Sequence, residues 1–267
     1  MKENNPSARR LDWSVTDVAI REVRRLRRRS YRQAVGRTIA EGYPEVRRAV
    51  TAGVPIDVLY ICPDIFVDRN GEFRCLPVVE VSREVFKEMA FGRRLKGILA
   101  VCSPAQLRLD DITLGDPPRL VILEGLEKPG NIGTIIRAAD GAGLDAVVMC
   151  RCRTDPYNHN IVRASLGTVF HQPVVEAAAP DILAFCRGKG VPLFASSSSA
   201  ERLYTQVDFR HGFAIIIGSE HDGVSAFWRS CADHGIRIPM RGAAGSLNAA
   251  MSASILMYEA LRQIAGN

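Results

Sequence analysis

Much that would declare a function outright is missing from this chain. No apolar run approaches the roughly eighteen residues of a membrane helix, and no charged start leads into an apolar signal segment. Neither a membrane span nor a signal peptide is therefore expected, and the expected location is cytoplasmic. Seven cysteines stand at positions 62, 75, 102, 150, 152, 186 and 231, an odd number. None of them has Cys-x-x-Cys spacing, and Cys150-x-Cys152 lacks a His or Cys set at ligand spacing. That argues against a disulfide framework or a zinc centre and for buried free thiols, so no metal is expected. The pattern Gly-x-x-x-x-Gly-Lys-Ser/Thr is absent, which disfavours a P-loop NTPase. None of the five histidines has a nucleophile partner, and His221, beside an Asp-Gly pair, reads as a surface residue. There is no internal repeat. One nucleotide-type fingerprint, Gly141-Ala142-Gly143-Leu144-Asp145-Ala146, is a decoy, since it follows a helical pattern and precedes a strand, where glycines end helices rather than open them.

What is present fits a globular protein of one large or two ordinary domains: 267 residues, 47% hydrophobic and 24% charged. The charge is uneven. Residues 1–50 hold thirteen Lys and Arg against six Asp and Glu, a local excess of seven in a chain whose net charge is +6. Seven arginines from Arg21 to Arg32 fall within twelve residues. Such a cluster is either a solvated helix face or a phosphate-binding surface; with only Glu22 nearby as a partner, the second is favoured. Arg25, Arg27, Arg28 and Arg29 are its candidate contacts.

Residues 1–20 read as a polar lead-in and the Arg-rich segment as a helix running to about Val35. The stretches 38–42, 46–52, 56–61, 82–91 and 97–101 then alternate strand and helix, a small α/β domain over residues 1–105. Residues 106–118, with Asp110-Asp111, Gly115 and Pro117-Pro118, read as a linker. Beyond it, over 119–267, come five strand candidates at 120–123, 146–149, 192–195, 214–217 and 236–239. Helical patterns at 134–142, 160–170, 180–187 and 246–264 separate them, so a parallel, doubly wound sheet is expected.

Ligands of such a sheet bind in loops beyond the carboxyl ends of its strands. Three polar loops occupy that position: Glu124 to Gly133 with Asn131, running on to Arg137; Gly218-Ser219-Glu220; and Ile238-Pro239-Met240 with Ser246-Leu247-Asn248. Asn131 is either a helix cap or a site residue. Arg137 sits among apolar neighbours and needs a partner for its charge, with Glu220 an obvious one. Ser246-Leu247-Asn248 reads as a helix cap and first turn, which a site role does not exclude. The run Ser196–Ser199 is either a flexible turn or, given its place after a strand, a loop facing a ligand.

Taken together, the three loops resemble the SpoU (TrmH) branch of the SPOUT RNA methyltransferases, over roughly Leu120 to the C-terminus. The resemblance implies a parallel sheet with helices on both faces, a trefoil knot, a homodimer packed through the last helix, and transfer of a methyl group from S-adenosylmethionine to a ribose 2′-hydroxyl. It assigns catalysis to Asn131, Arg137, Glu220, Ser246 and Asn248. Arg137 acts either as a base or, because a guanidinium does not give up its proton at neutral pH, as a stabiliser of the developing alkoxide. The loops at Ala195-Ser196, Gly218 and Ile238–Met240 would hold the adenosine half of the cofactor, with Leu247 against the adenine. Arg163, in a family-like stretch Arg163–Gly167, is a phosphate contact, a group reaching a neighbouring subunit's site, or an exposed helix arginine. The Arg-rich start and Ile39-Ala40-Glu41-Gly42 resemble the thiostrepton- and nosiheptide-resistance enzymes, which methylate an adenosine in the GTPase-associated region of 23S rRNA. A tRNA or other rRNA 2′-O-methyltransferase and a non-catalytic RNA-binding protein of the same fold are the alternatives.

Overall fold

The computed structural model describes residues 9–10, 13–92 and 94–266; positions 1–8, 11 and 12 of the polar lead-in lie outside the described residues. In chain order come β1 (Arg9–Arg10), α1 (Trp13–Arg25), α2 (Arg29–Val35), β2 (Thr38–Glu41), α3 (Tyr43–Thr51), β3 (Ile56–Ile61), β4 (Val78–Glu80), α4 (Arg83–Met89) and β5 (Ile98–Cys102). They are followed by β6 (Arg119–Glu124), α5 (Pro129–Gly141), β7 (Ala146–Cys150), α6 (His159–Ala164), β8 (Val174–Glu176) and α7 (Ala179–Gly188). The chain ends through β9 (Leu193–Ser196), β10 (Arg202–Leu203), β11 (Phe213–Ile217), α8 (Ala226–Cys231), β12 (His234–Arg237) and α9 (Ala249–Ala265). Two compact units result: Met1–Ala105 with Tyr157–His171, and Gln106–Pro156 with Gln172–Asn267.

The first unit is built on a mixed sheet in the order β1-β4-β3-β5-β2, with β5 antiparallel to both neighbours. Its core joins Ile39, Tyr60 and Leu99 of the sheet to Val23, Phe86 and Met89 of the helices and to Leu26 just beyond α1. The expected single helix through Val35 is broken: Arg28 is extended (φ −88°, ψ 128°) between α1 and α2. Arg32 explains the break. Only 3% exposed, it donates to the carbonyls of Leu26 at 2.8 Å and Arg27 at 2.9 Å, acceptors that the end of α1 leaves without helical partners.

Residues 157–171 belong to this unit, whereas the sequence pattern places them in the second. The Thr38 hydroxyl donates to the Tyr157 carbonyl at 2.6 Å, and Arg48 donates to the Leu166 carbonyl at 2.7 Å. At Gly167 (φ +82°) an added Cβ would stand 2.9 Å from Glu45 Cα, so only glycine admits this approach. The helix expected over 160–170 accordingly stops at Ala164, because Leu166 (φ 52°) and Gly167 take left-handed conformations.

In the second unit all seven strands are parallel, in the order β10-β12-β9-β11-β6-β7-β8. Leu120–Leu123, Ala146–Val148 and Ala214–Ile216 are fully buried, and burial on both faces is what makes a parallel strand a continuous apolar run. The stretch read as a linker is packed down: Ile112 is buried, and Leu107, Leu109 and Leu114 lie against the core of this sheet. Gly143 (φ 66°) ends α5, as its place after a helical pattern implies. No described helix is long and apolar enough to cross a membrane.

Candidate active site

The carboxyl ends of β9, β11 and β12 open onto a cavity of about 450 Å³, within the range of small-molecule sites. Ser196 to Ser199 form one wall, Ile238 and Met240 another, and Ser246 and Leu247 a third. Gly218 and the turn after it close the floor. That turn explains the glycine: Ser219 and Gly223 bridge one another, and a Cβ on Gly218 would lie 2.0 Å from the Gly223 carbonyl carbon. The serine run therefore faces the cavity, with the Ser197 and Ser199 hydroxyls 2.9 Å apart. Ala195, expected among the cofactor contacts, is buried in β9 between Ile216 and Gly235 and does not line the cavity.

Asn248 caps α9, accepting from the Ala250 amide at 2.9 Å. The helix expected from Ser246 starts at Ala249 instead, leaving Ser246 exposed at the cavity. The Asn248 Nδ2 donates to Asn131 Oδ1 at 3.2 Å, and the Asn131 amide donates in turn to Glu220 Oε1. Residues 89 and 117 positions apart are thus joined in one polar relay at the cavity edge. Glu220 pairs with Asn131 and not with Arg137. Arg137 is exposed on α5, makes no side-chain hydrogen bond or ion pair among the described residues, and lines no part of the cavity.

One residue without a role in the sequence reading anchors this arrangement. Glu124, 4% exposed at the end of β6, accepts from the Ser225 amide at 2.8 Å and so ties the return of the β11 turn to the neighbouring strand. Its signal was a lone carboxylate closing an apolar strand. A second cavity of about 370 Å³ lies along the same turn, sharing Ser219 to Gly223 with the first and bordered by Lys128, Arg151 and Arg153. Burial holds the Cys152 thiol up at about 12, so it stays protonated at neutral pH. Among the described residues no three His, Cys, Asp or Glu side chains are grouped to hold a metal ion.

The model of the SpoU rRNA Methylase family matches residues 118–258, more than half of the chain. The chain belongs to the SpoU rRNA methylase family. Residues 18–100 match an MRM3-like substrate binding domain. Among similar proteins is the 23S rRNA (guanosine(2553)-2′-O)-methyltransferase RlmP of Bacillus subtilis, 32% identical over 67% of this chain and 70% of that protein. Another is the 23S rRNA (uridine(2479)-2′-O)-methyltransferase of Streptomyces viridochromogenes, 34% identical over 62% of this chain and 60% of that protein. A solved structure of an AdoMet-bound rRNA methyltransferase from Sinorhizobium meliloti aligns with a TM-score of 0.86 at 28% identity, covering 97% of this chain and 99% of that one.

For a SpoU methylase, the residues around the first cavity suit S-adenosylmethionine. Serine hydroxyls and strand-end backbone can meet ribose hydroxyls and base edges, and Leu247, Ile238 and Met240 offer the apolar faces that an adenine ring needs. The Arg-rich segment of this SpoU chain is partly spent on its own fold. Arg24 pairs with Glu88, Arg25 with Glu22 at 2.9 Å, and Arg27 donates to the Ala90 carbonyl at 2.9 Å. Arg29 is half-buried and also engaged, while Arg28 is exposed and makes no such contact among the described residues. Arg163 is exposed on α6 in the first unit, donating to Asn160 at 3.2 Å.

Proposed function

We propose that this chain transfers the methyl group of S-adenosylmethionine to a ribose 2′-hydroxyl of ribosomal RNA. One observation carries the reading: the loops after Ile217 and Ile238 line a single cavity, and the loop after Glu124 is tied to its edge by Asn131, hydrogen-bonded in series with Asn248 and Glu220. When bound, the cofactor supplies an electrophilic methyl carbon on a sulfonium. The chain's own task is alignment and exclusion of water, since an in-line displacement is accelerated chiefly by holding its reacting atoms in place. The loops at Ser196, Gly218 and Ile238–Met240 hold the adenosine, Leu247 packs on the base, and Asn131 fixes the direction of Glu220. Arg137 donates a hydrogen bond to the 2′-oxygen and stabilises the alkoxide that develops there as the hydroxyl proton passes to solvent.

A homodimer accounts for the position of Arg137. The outer face of α9 exposes Met251 (58%) and Tyr258 (49%), and an added Cβ on Gly141 would lie 3.0 Å from the Tyr258 hydroxyl, one turn along α5 from Arg137. A second copy packed on α9 covers the apolar side chains and brings Arg137 to the partner's cavity. A trefoil knot accompanies this reading by family resemblance, and a cytoplasmic location is proposed with it.

The narrower reading is an adenosine of the GTPase-associated region, with thiopeptide resistance as the consequence. Its support is the Arg-rich start and the stretch Ile39–Gly42. The relatives above are named for a guanosine and a uridine, so the modified base varies among similar proteins. Labelling total RNA with methyl-tritiated S-adenosylmethionine and mapping the product tests both levels. A single ribose methyl in 23S rRNA is expected. A methyl in tRNA alone overturns the ribosomal target, one at another ribosomal nucleotide overturns the narrower reading, and no transfer together with no thermal shift by the cofactor overturns the enzyme.

A further inference from the structure

The first unit holds a small cavity that methyl transfer does not explain. It measures about 110 Å³, and its wall is drawn from three separated stretches: Ile39 and Glu41 at the end of β2, Phe91 and Lys96 between α4 and β5, and His159 and Arg163 on α6. All of them belong to the first unit, so the excursion of residues 157–171 completes the cavity.

Its interior is aromatic and carries one buried acceptor. The Phe91 and His159 rings lie 4.5 Å apart, tilted by 53°, and the Arg27 guanidinium sits 4.5 Å over Phe91. Glu41 Oε2 accepts from the Phe91 amide at 2.8 Å, which fixes the loop carrying the ring. Its other oxygen, Oε1, is buried with no hydrogen-bond partner among the described residues. Burial raises the Glu41 carboxyl above its ordinary range, opposed by the amides of Phe91 and Gly92 and by Arg163 and Lys96. An acceptor left unmade in a low-dielectric site is costly, and a donor brought by a ligand recovers that cost. Three cations, Arg94, Lys96 and Arg163, stand in the wall with Glu41 as the one acid lining it, while Glu45 lies outside the lining, near enough to interact with Lys96 and Glu41.

Each part excludes some ligands. A lone carboxylate is too few donors for a metal ion, and its charge repels an anion from the floor. A flat, neutral group with an N–H at its edge and negative charge on either side meets every requirement. Unstacked bases of single-stranded RNA have that form, because they lie against aromatic side chains, bond through their edges and leave phosphates to flanking cations. Uracil fits poorly, since its carbonyl oxygens would face the carboxylate.

We infer that this cavity receives one splayed-out base of the RNA substrate, a base bearing an exocyclic amine, which donates to Glu41 Oε1 while Arg94, Lys96 and Arg163 hold the adjoining phosphates. The inference rests on the reading of the chain as an RNA-modifying protein and names the recognition site within it.

The test uses the full chain without cofactor and fluorescein-labelled oligo-A, oligo-C and oligo-U of about twelve nucleotides. Oligo-A and oligo-C are expected to bind roughly tenfold more tightly than oligo-U, the effect of one hydrogen bond to a charged acceptor. Glu41→Gln, whose amide both donates and accepts, brings that ratio close to one at an unchanged salt slope. Lys96→Ser lowers the slope of log affinity against log salt by about 0.7 and keeps the ratio. Phe91→Leu weakens oligo-A and oligo-C by roughly fivefold or more and stands in if Glu41→Gln fails to fold. Equal binding of the three oligomers by the wild type, or a ratio that survives Glu41→Gln, overturns the inference. Stabilisation by S-adenosylmethionine, read on the same samples, separates the two failures: base selectivity without a cofactor shift defeats the methyltransferase reading alone, and a cofactor shift without base selectivity defeats the base pocket alone.

Discussion

The two units place their ligand-facing residues by opposite means. In the second, seven parallel strands all end at one edge, so loops separated in sequence gather there without further instruction. In the first, β5 runs against both its neighbours and the strand ends are divided between two edges. A pocket in that unit has to be assembled from whatever crosses it, including a segment whose Tyr157 carbonyl meets Thr38 from 119 positions away. Aligned strand ends suit a reaction that must bring fixed groups onto one atom, while scattered ones suit a surface that reads a flexible polymer by charge and shape.

Substitutions can separate these roles. The largest effect is expected from Arg137→Ala, which should lower the single-turnover rate of methyl transfer by about 10²–10³-fold, the range for loss of one oxyanion-stabilising donor. Cofactor and RNA affinity should hold, and near-normal transfer would remove the chemistry from this position. Gly218→Ala comes next. Its Cβ would meet the Gly223 backbone at 2.0 Å, so about 1–3 kcal/mol of overpacking should lower the melting point and abolish the cofactor shift. RNA binding by the first unit should survive below the transition, and an undisturbed cofactor shift would show that the turn does not form the cavity floor.

A smaller effect distinguishes arginines within the first unit. Arg28→Ser should reduce the salt slope of RNA binding by about one, as expected for one lost phosphate contact. Arg24→Ser should leave the slope nearly unchanged, because Arg24 is engaged with Glu88. Equal slopes for both variants would mean that the cluster acts only as a diffuse field. The smallest effect concerns Glu41. Its carboxyl is raised above 4.5 in the fold, so its contribution to stability is present at lower pH and is lost as pH rises through the folded value. Glu41→Gln should therefore flatten the fall in melting temperature between pH 4 and pH 7 by a few degrees at most, since roughly 1 kcal/mol moves a protein of this size by 2–4 °C. An unchanged profile would mean that the carboxyl is well solvated.

The second unit was the more legible of the two because its central strands advertise themselves. Leu120–Leu123, Ala146–Met149 and Ala214–Ile217 are apolar runs buried from both sides, and the loops after them could be located from the runs alone. Edge elements escaped: β10 has two residues, β8 has three and α8 has six, too few to show a period. Side-chain partners across long separations left no trace either, which is why Arg137 was matched with Glu220 when Asn131 holds that carboxylate. In the first unit the arginine cluster was visible as charge, but the assignment of Arg24 to Glu88 and Arg32 to the end of α1 depends on tertiary neighbours. The membership of residues 157–171 was hidden for the same reason, since their helical period says nothing about which core they join.

That membership has a consequence for synthesis. Chains emerge from the ribosome at about 5–20 residues per second, and domains usually fold as units from the N-terminus. The first unit cannot do so: its sheet is complete at Cys102, yet the residues that meet Thr38, Glu45 and Arg48 arrive only with Tyr157–His171. Between those points β6, α5 and β7 have already left the tunnel. The unit that matches the substrate binding domain thus reaches its final form only after construction of the methylase unit has begun, so premature termination before residue 157 leaves both unfinished.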